Sequence, residues 1–185
     1  DRGVTDDELL TLVEEAEQDG GIDKSESAML RNVIEFDDIQ AIEIMTPRVD
    51  VEALPRDAGP DQAALTFRET GYSRLPVYDD TIDSIIGVIH EKDFFSRIWV
   101  NERDLTSILK PAEFIPPSMK ISDLLRLLQQ KKQHMAVIVD EFGGTEGIVT
   151  LEDVIEELVG EIWDEHDDVE QEGILPIGEG FYRVY

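Results

Sequence analysis

Apolar residues recur at helical spacing in the N-terminal part of the chain. A stripe between Leu9 and Val13 follows Thr5 and three acidic residues, an arrangement typical of a helix N-terminus. Asp19-Gly20-Gly21 should end this helix, because glycine is common just beyond a helix C-terminus. The helical spacing resumes over Ser25–Phe36. The pattern therefore predicts an acidic helical connector over residues 1–43.

From Ile44 onward, short strand-like runs alternate with helical ones. The predicted strands are Val49–Leu54, Leu75–Tyr78, Ile85–Ile89, Ala136–Val139 and Gly147–Val149. The predicted helices are Pro60–Glu69, Lys92–Val100, Ser122–Gln130 and Leu151–Val159. Strands that alternate with helices in this way are typical of an α/β (α+β) fold.

The second half of this region repeats the first. Gly87 and Gly147 are equivalent positions of the two copies, 60 residues apart (147 − 87). The equivalent residues Pro47 and Pro111 are 64 residues apart (111 − 47). We expect the four additional residues of the first copy in a longer turn at 56–59. Each copy has the order β-α-β-β-α and is too small to bury a core alone, so the two should pack as one pseudo-two-fold module. The predicted divisions are the first repeat at 44–104, the second repeat at 105–165, and a linker with the start of a further C-terminal domain at 166–185.

Composition excludes several classes of partner and chemistry. The 185 residues include 16 Lys+Arg and 43 Asp+Glu, a formal net charge of −27. Such acidity argues against nucleic acid as a partner, because its backbone is also a polyanion. Hydrophobic residues form 41% of the chain, enough for a packed core, and the lack of cysteine excludes disulfides and thiolate metal sites. With no apolar run long enough to cross a bilayer, and with Asp1 as its first residue, the chain is expected to be a soluble piece of a longer protein.

Catalytic chemistry finds little support in the residues. The three histidines lack zinc-site spacing, and the chain has no glycine-rich phosphate loop or serine nucleophile motif. We therefore predict that the protein is not an enzyme.

A ligand site is better supported where Leu151 begins a helix. Thr150 would cap that helix, whose first N–H groups attract phosphate, and Asp153 could accept hydrogen bonds from a ribose diol. The same spacing is also an ordinary helix cap, so the motif alone leaves both interpretations open.

Four sequence blocks carry a resemblance to a known family. They are Ile44–Arg48, Tyr72–Tyr78, Asp140–Thr145 and Gly147–Gly160, the last with the sequence GIVTLEDVIEELVG. Together with the duplication, they resemble the tandem cystathionine-β-synthase (CBS) domains of the CorC/CNNM, or hemolysin-like, magnesium and cobalt transport family. The resemblance implies a regulatory module at the cytoplasmic face of the cell membrane. Such a module would bind an adenosine nucleotide and gate a magnesium/cobalt transporter through the membrane domain of the same protein.

The resemblance also implies a nucleotide site in the cleft between the two repeats. On the adenine side, the residues of the first repeat would be Thr46, Tyr72, Ser73 and Arg74. Those of the second repeat would be Ile148 at the base or ribose, Asp153 at the ribose hydroxyls, Thr150 at the phosphates, and Glu152 and His134 beside the phosphates. Tyr72 could equally be an aromatic residue of the rim, and His134 a hydrogen-bonded surface residue.

The pseudo-symmetric second cleft departs from this pattern. Lys110 stands where the first cleft has Thr46, and His90 stands where it has Thr150, although Asp93 keeps the acidic group. We predict that the second cleft is empty or binds nucleotide weakly.

The predicted ligand is ATP with Mg²⁺, with AMP as the other possibility. The cations near the implied site are few for a triphosphate on so acidic a chain: Arg74, Lys120, Lys131 and Lys132. A divalent cation would offset the repulsion, which favours Mg·ATP over bare ATP. We predict no metal site made by the protein alone, since magnesium would arrive with the phosphates.

Two functions are compatible with these observations. One is the nucleotide-sensing regulator, and the alternative is a CBS module that binds no ligand and only dimerises or mediates interactions. In either case a homodimer is expected, formed by the helices at Pro60–Glu69, Lys92–Val100, Ser122–Gln130 and Leu151–Val159.

Overall fold

A computed structural model of the chain describes residues 4–98 and 104–160, together with the backbone of residues 175–178 and 181–183. The helices are α1 (Asp6–Gln18), α2 (Lys24–Glu35), α3 (Ala41–Ile44), α4 (Pro60–Thr70), α5 (Glu91–Asp93), α6 (Ile121–Lys131) and α7 (Leu151–Val159). The strands are β1 (Thr46–Pro47), β2 (Leu54–Pro55), β3 (Arg74–Tyr78), β4 (Ile85–His90), β5 (Glu113–Ile115), β6 (Met135–Val139), β7 (Thr145–Thr150), β8 (Leu175–Gly178) and β9 (Phe181–Arg183). Short 3₁₀ helices lie at Phe36–Asp38, Arg48–Asp50 and Leu105–Ile108, and a π-helical turn at Phe94–Ile98.

The N-terminal helices form where the sequence predicts them. A capping box starts α1 at Thr5 and another starts α2 at Asp23, so acidic side chains face the positive end of each helix. Gly20, with φ of 74°, takes the left-handed conformation in the turn between them. α1 packs against α2, and α2 packs in turn against α7. The acidic helices are therefore in contact with the repeat region.

The repeat region contains two sheets. One has the order β1-β7-β6-β5 and the other β2-β3-β4, and each holds one antiparallel hairpin (β6–β7 or β3–β4) with a parallel strand beside it. The order β-α-β-β-α is confirmed in both copies, as β2-α4-β3-β4-α5 and β5-α6-β6-β7-α7. The mixed α/β fold class is thus as predicted.

The two sheets meet through an apolar cluster that takes residues from both copies. Ile85 and Val88 from β4 pack with Val137 from β6 and Ile148 from β7, all of them buried. Burial of apolar surface contributes about 25 cal/mol per Å², so this shared layer holds the two copies together. The predicted packing of the repeats as one module is confirmed.

The segment that leads into each repeat joins the sheet and core of the other repeat. Thr46 in β1 pairs with Ile148 in β7, and Lys110 forms the corresponding isolated bridge with Val88 in β4. Ala41 accordingly lies in the core of the second repeat, together with α6 and α7, whereas residues 105–108 pack into the core of the first. This exchange of lead segments forms the clefts between the repeats.

Two glycines permit these crossings. A Cβ atom on Gly87 would lie 2.6 Å from the carbonyl oxygen of Lys110, and one on Gly147 would collide with the carbonyl oxygen of Thr46. Both glycines therefore serve close approach of the backbones, which explains why they occupy matching places in the duplication.

The position of the longer turn differs from the prediction. Leu54 pairs with Val77 as Ile115 pairs with Ile138, so the copies are already offset by 61 residues (115 − 54) at this strand. Three of the four additional residues therefore lie between 47 and 54, before the turn at 56–59, and the fourth lies in the β3–β4 turn. The strand predicted over Val49–Leu54 is correspondingly wrong, because the extra residues form a 3₁₀ helix and only Leu54–Pro55 pairs.

Parts of the predicted organisation lie outside the described residues. These are the end of the first repeat's last helix at 99–100, the acidic run at 161–172 and most of the C-terminal segment. In that segment, β8 and β9 pair as antiparallel strands. Within the described part of the chain, no helix combines the length and apolar character needed to cross a membrane.

Candidate functional site

A cavity of about 350 Å³ lies between the two repeats, at the crossing of β1 over β7. Its lining consists of Thr46, Asp50, Glu52, Gly71, Tyr72, Ser73, Arg74, Pro76, His134, Met135, Ile148, Thr150, Glu152 and Asp153. All nine residues that the resemblance implies for the nucleotide site are in this set. We call this space the first cavity.

A capping box at the start of α7 fixes the two residues that carry the motif. The Thr150 hydroxyl oxygen accepts a hydrogen bond from the Asp153 amide at 3.2 Å, and the Asp153 carboxylate accepts one from the Thr150 amide at 2.7 Å. The hydroxyl hydrogen of Thr150 and the second oxygen of Asp153 stay available to a ligand. The cap and the ligand site are therefore compatible functions of the same two side chains.

Glu152 lies between Arg74, the first residue of β3, and His134, the residue before β6. Its Oε1 atom is 3.9 Å from Nη1 of Arg74 and 3.9 Å from Nδ1 of His134. Since both contacts are long and the Glu152 side chain is 66% exposed, an anionic ligand could replace the carboxylate as their partner.

Buried apolar residues form the floor of the first cavity, and an aromatic residue stands at its mouth. Met135 and Ile148 are buried, whereas Tyr72 is 51% exposed. Gly71 ends α4 in the left-handed conformation, with φ of 68°, and so turns the chain toward Tyr72 and Ser73. An apolar floor with polar groups at the edges suits a flat aromatic ring attached to a polar group.

Sequence reasoning missed Asp50 and Glu52, the two carboxylates that the extra residues of the first repeat bring to the cavity. Their alternation with Val49 and Val51 is the pattern of a strand, and it masked the 3₁₀ turn that Arg48–Asp50 forms. Gly71 and Pro76 also line the cavity without having been predicted for the site.

The side chains of the second cleft are already engaged with one another. Nζ of Lys110 lies 2.7 Å from Oδ2 of Asp93, and this hydrogen bond holds the pKa of Asp93 below its ordinary value. Burial, followed by the charge of Arg74, lowers the pKa of His90. The Nδ1 atom of His90 accepts a hydrogen bond from the Lys92 amide, so the neutral ring carries its hydrogen on Nε2. The acid that would bind a ribose here is thus paired with lysine.

An ion pair of the first repeat, Arg48–Asp83, is joined to the second repeat by hydrogen bonds with Thr145. Arg48 donates to both carboxylate oxygens of Asp83, and the same carboxylate accepts the amide of Thr145 at 2.9 Å. Arg48 also donates to the Thr145 carbonyl oxygen at 3.3 Å. Since Arg48 is two residues after Thr46, these contacts help to hold β1 against β7.

Of the lysines considered near the site, Lys120 lies elsewhere. It precedes α6 and bridges to Gln40, and it lines neither this cavity nor the neighbouring one. Lys131 and Lys132 line the neighbouring cavity, which shares Arg74 with the first.

The family model for the CBS domain matches the chain twice, at residues 41–100 and 103–160. The chain belongs to the CBS domain family. A solved structure of "the CBS domain of the bacterial CNNM/CorC family Mg2+ transporter" is 41% identical with a TM-score of 0.80, and the match covers 88% of this chain and all of that one. The tandem CBS pair is therefore that of the CorC/CNNM magnesium and cobalt transport family, as the sequence blocks suggest.

Two further relatives carry functional names. A structure of the CNNM/CorC CBS domain in complex with ATP is 44% identical with a TM-score of 0.70, and the match covers 74% of this chain and 99% of that one. The magnesium and cobalt efflux protein CorC of Pasteurella multocida is 34% identical over 180 residues, which is 96% of this chain. The chain spans 60% of that protein's length and as little as 26% of other curated relatives.

Proposed function

We propose that this CBS pair binds an adenosine nucleotide in the first cavity and thereby regulates a magnesium/cobalt transporter. The observation that carries the proposal is the convergence of residues from both repeats, Thr46 to Arg74 and His134 to Asp153, on one cavity. A related CBS domain has been solved with ATP, at 44% identity to this chain. The ligand we favour is Mg·ATP, with AMP as the alternative.

The first repeat would hold the adenine. Thr46, on β1, offers backbone and hydroxyl groups beside the apolar floor at Ile148, and Tyr72 offers a ring on which a base can stack. Ser73 and Arg74 line the same side of the cavity. A base in this position would contact both repeats at once.

The start of α7 would hold the ribose and the phosphates. Asp153 accepts from the ribose hydroxyls with its second carboxylate oxygen, while the Thr150 hydroxyl and the first amides of the helix donate to phosphate. A phosphate near Arg74 and His134 would take the place of Glu152 as their partner.

Magnesium fits the charge of the first cavity. Asp50, Glu52 and Glu152 stand around it with few cations, so the phosphates of bare ATP would be repelled. Mg²⁺ bound to the phosphates supplies the missing positive charge and lets these carboxylates interact favourably with the complex.

Regulation of the transporter would follow from the contact of one bound nucleotide with both repeats. A nucleotide that bridges both repeats stabilises one relative orientation of them, and α2 lies against α7, the helix that carries Asp153. The acidic helices of the predicted connector at 1–43 could therefore transmit occupancy to a membrane domain of the full-length protein. The module would then lie at the cytoplasmic face of the cell membrane, and it would sense the ligand without turning it over.

We also propose that the module works as a homodimer. Apolar side chains are exposed on three of the four helices considered for the dimer, with Leu65 on α4, Phe95 after α5, and Ile155 and Val159 on α7. Light scattering at tens of micromolar should give the mass of a dimer. A monomer mass would contradict this part of the proposal.

Titration calorimetry with Mg·ATP, ATP and AMP tests the nucleotide site. Asp153→Ala should weaken Mg·ATP binding at least tenfold, because a charged hydrogen-bond acceptor contributes about 1.5–3 kcal/mol. Asp93→Ala removes the same group from the second cleft and should change the affinity less than about twofold. Circular dichroism confirms the fold of each variant. Binding that is absent, or equally strong in both variants, would refute the site and favour the interaction-only alternative.

A further inference from the structure

A second cavity of about 410 Å³ adjoins the first. It lies in the pseudo-symmetric cleft, and it shares Arg74, His134 and Met135 with the first cavity. The rest of its lining consists of Val88, Ile89, His90, Lys110, Pro111, Lys131, Lys132 and Gln133. The two cavities are therefore adjacent, and residues of both repeats line each of them.

The two cavities have opposite charge. Asp50, Glu52, Glu152 and Asp153 line the first, whereas the described residues that line the second include four cationic side chains and no carboxylate. The contrast arises partly from the three extra residues of the first repeat, which place Asp50 and Glu52 at the first cavity only. On a chain with a net charge of −27, a cavity lined by cations is an exception that a ligand can exploit.

Carboxylates beside the second cavity hold two of its lysines in place. Lys110 pairs with Asp93 at 2.7 Å, and Lys131 pairs with Glu113 at 3.5 Å. These acids limit the motion of the lysine side chains without lining the cavity themselves. Lys132 makes no ion pair within the described residues, so its ammonium group is available to a ligand.

The backbone presents Lys132 in an unusual way. It ends α6 in the left-handed conformation, with φ of 54°, at the place that Gly71 occupies at the end of α4. A non-glycine residue with positive φ carries a small conformational cost, and glycine would be the ordinary choice at this position. The chain instead has a cation at the edge of the second cavity.

We infer that the second cavity binds an anion of the phosphate class, held by Lys110, Lys131 and Lys132, and that it excludes adenosine. Orthophosphate or polyphosphate has several anionic oxygens, which suits a cavity lined by three ammonium groups. The neutral His90 ring adds an Nε2–H donor. Adenosine is excluded because Asp93, which would hold a ribose, is already paired with Lys110. The anion could be the terminal phosphates of a nucleotide in the first cavity or a separate phosphorylated molecule.

Calorimetry with inorganic tripolyphosphate tests the inference without any nucleoside. Wild-type protein should bind it, and Lys131→Ala/Lys132→Gly should weaken the binding at least tenfold. The glycine is matched to Gly71, so the backbone at 132 is relieved rather than strained. The control Lys120→Ala/Arg126→Ala removes the same two positive charges from positions outside both cavities, and it should change the affinity less than twofold. No tripolyphosphate binding, or equal binding by all three proteins, would overturn the inference.

Competition identifies the source of the anion. If the terminal phosphates of a bound nucleotide occupy the second cavity, ATP should displace tripolyphosphate and AMP should not. In that case the Lys131→Ala/Lys132→Gly variant should also bind ATP no more tightly than it binds AMP. If tripolyphosphate binds equally well to ATP-saturated protein, the cavity takes a separate phosphorylated ligand. Asp153→Ala should weaken nucleotide binding and leave tripolyphosphate binding unchanged. The proposed nucleotide site and the proposed anion site can therefore be refuted independently of each other.

Discussion

The ammonium group of Lys110 lies 2.7 Å from the carboxylate of Asp93 in the second cleft. The corresponding positions of the first cleft are occupied by Thr46 and Asp153. The two clefts have the same backbone plan, since Lys110 faces Val88 as Thr46 faces Ile148. At this crossing the side chains differ, and a lysine in place of a threonine turns a potential ribose acceptor, Asp93, into half of an ion pair.

Removal of Lys110 should therefore release Asp93. In Lys110→Ala, the pKa of Asp93 should rise from its lowered value toward the ordinary one, because the hydrogen bond from Lys110 is the largest cause of the depression. NMR titration of the side-chain carboxyl carbon measures this directly. Lys92→Ala removes a neighbouring charge that does not contribute to the shift, and it should leave the pKa of Asp93 low. Equal titration of Asp93 in the two variants would show that the Lys110 contact is not formed in solution.

Gly147→Ala should destabilise the module and disturb the first cavity together. The new methyl group would meet the Thr46 carbonyl oxygen, which belongs to the backbone and cannot move without displacing β1. Overpacking of this kind costs about 1–3 kcal/mol, and displacement of Thr46 should also weaken nucleotide binding.

Gly59→Ala is the matched control for this prediction. Its added carbon would meet nothing within 4 Å, and the residue has the ordinary backbone of a helix N-cap. Its cost should stay below about 1 kcal/mol. Urea unfolding of the two variants measures the difference, and equal free energies of unfolding would contradict the close approach at Gly147.

The duplication and the capping motif could be predicted from the sequence because both depend on local spacing. Gly87 and Gly147 mark matching strands, and Thr150 with Asp153 marks a helix start; each pattern is set by residues close together in the chain. The resemblance then suggested which residues share a cleft, and the structure places all of them around one cavity.

The parts that could not be predicted depend on contacts between distant residues. Val49 to Glu52 alternates as a strand does, yet Val49 is 88% exposed because the extra residues turn away from the sheet. No local pattern shows that Lys110 meets Asp93, or that Asp83 meets Arg48 and Thr145. These contacts exist only after the lead segments have crossed.

The Arg48–Asp83 contact should make stability depend on pH in a defined direction. Hydrogen bonds from Arg48, and then from the Thr145 amide, hold the pKa of Asp83 below the value of 3.8 expected for an unfolded chain. Because the folded-state pKa is lowered, the contact contributes its full stability above the unfolded-state pKa of 3.8. This contribution is lost as pH falls from there through the folded-state pKa. Asp83→Asn should thus be less stable than wild type at pH 7 and at pH 5, with the gap narrowing below about pH 3.8.

Denaturant unfolding at pH 7, 5 and 3 tests this dependence. The control Asp79→Asn removes the carboxylate partner of Arg56 in another exposed ion pair. That carboxylate has no described hydrogen bond to the second repeat, so its loss should change stability much less. A gap between wild type and Asp83→Asn that stays constant down to pH 3 would mean that the carboxylate does not carry the contact between the repeats.

Tyr72→Ala should separate nucleotide binding from stability. The side chain is half exposed at the mouth of the first cavity, so its loss should change the free energy of unfolding by less than about 0.5 kcal/mol. Stacking of a base on an aromatic side chain contributes about 1–3 kcal/mol, and its loss should lower the affinity by roughly five- to 150-fold. Tyr72→Phe keeps the ring and should bind nearly as well as wild type. Phe142→Ala removes an exposed ring outside the cavity and should not affect binding.

Calorimetry with AMP is the sharpest measurement, because AMP has no terminal phosphates whose contacts could compensate for the lost stacking. If Tyr72→Ala binds AMP as tightly as Tyr72→Phe, the ring belongs to the rim alone and the adenine must lie deeper, against Ile148.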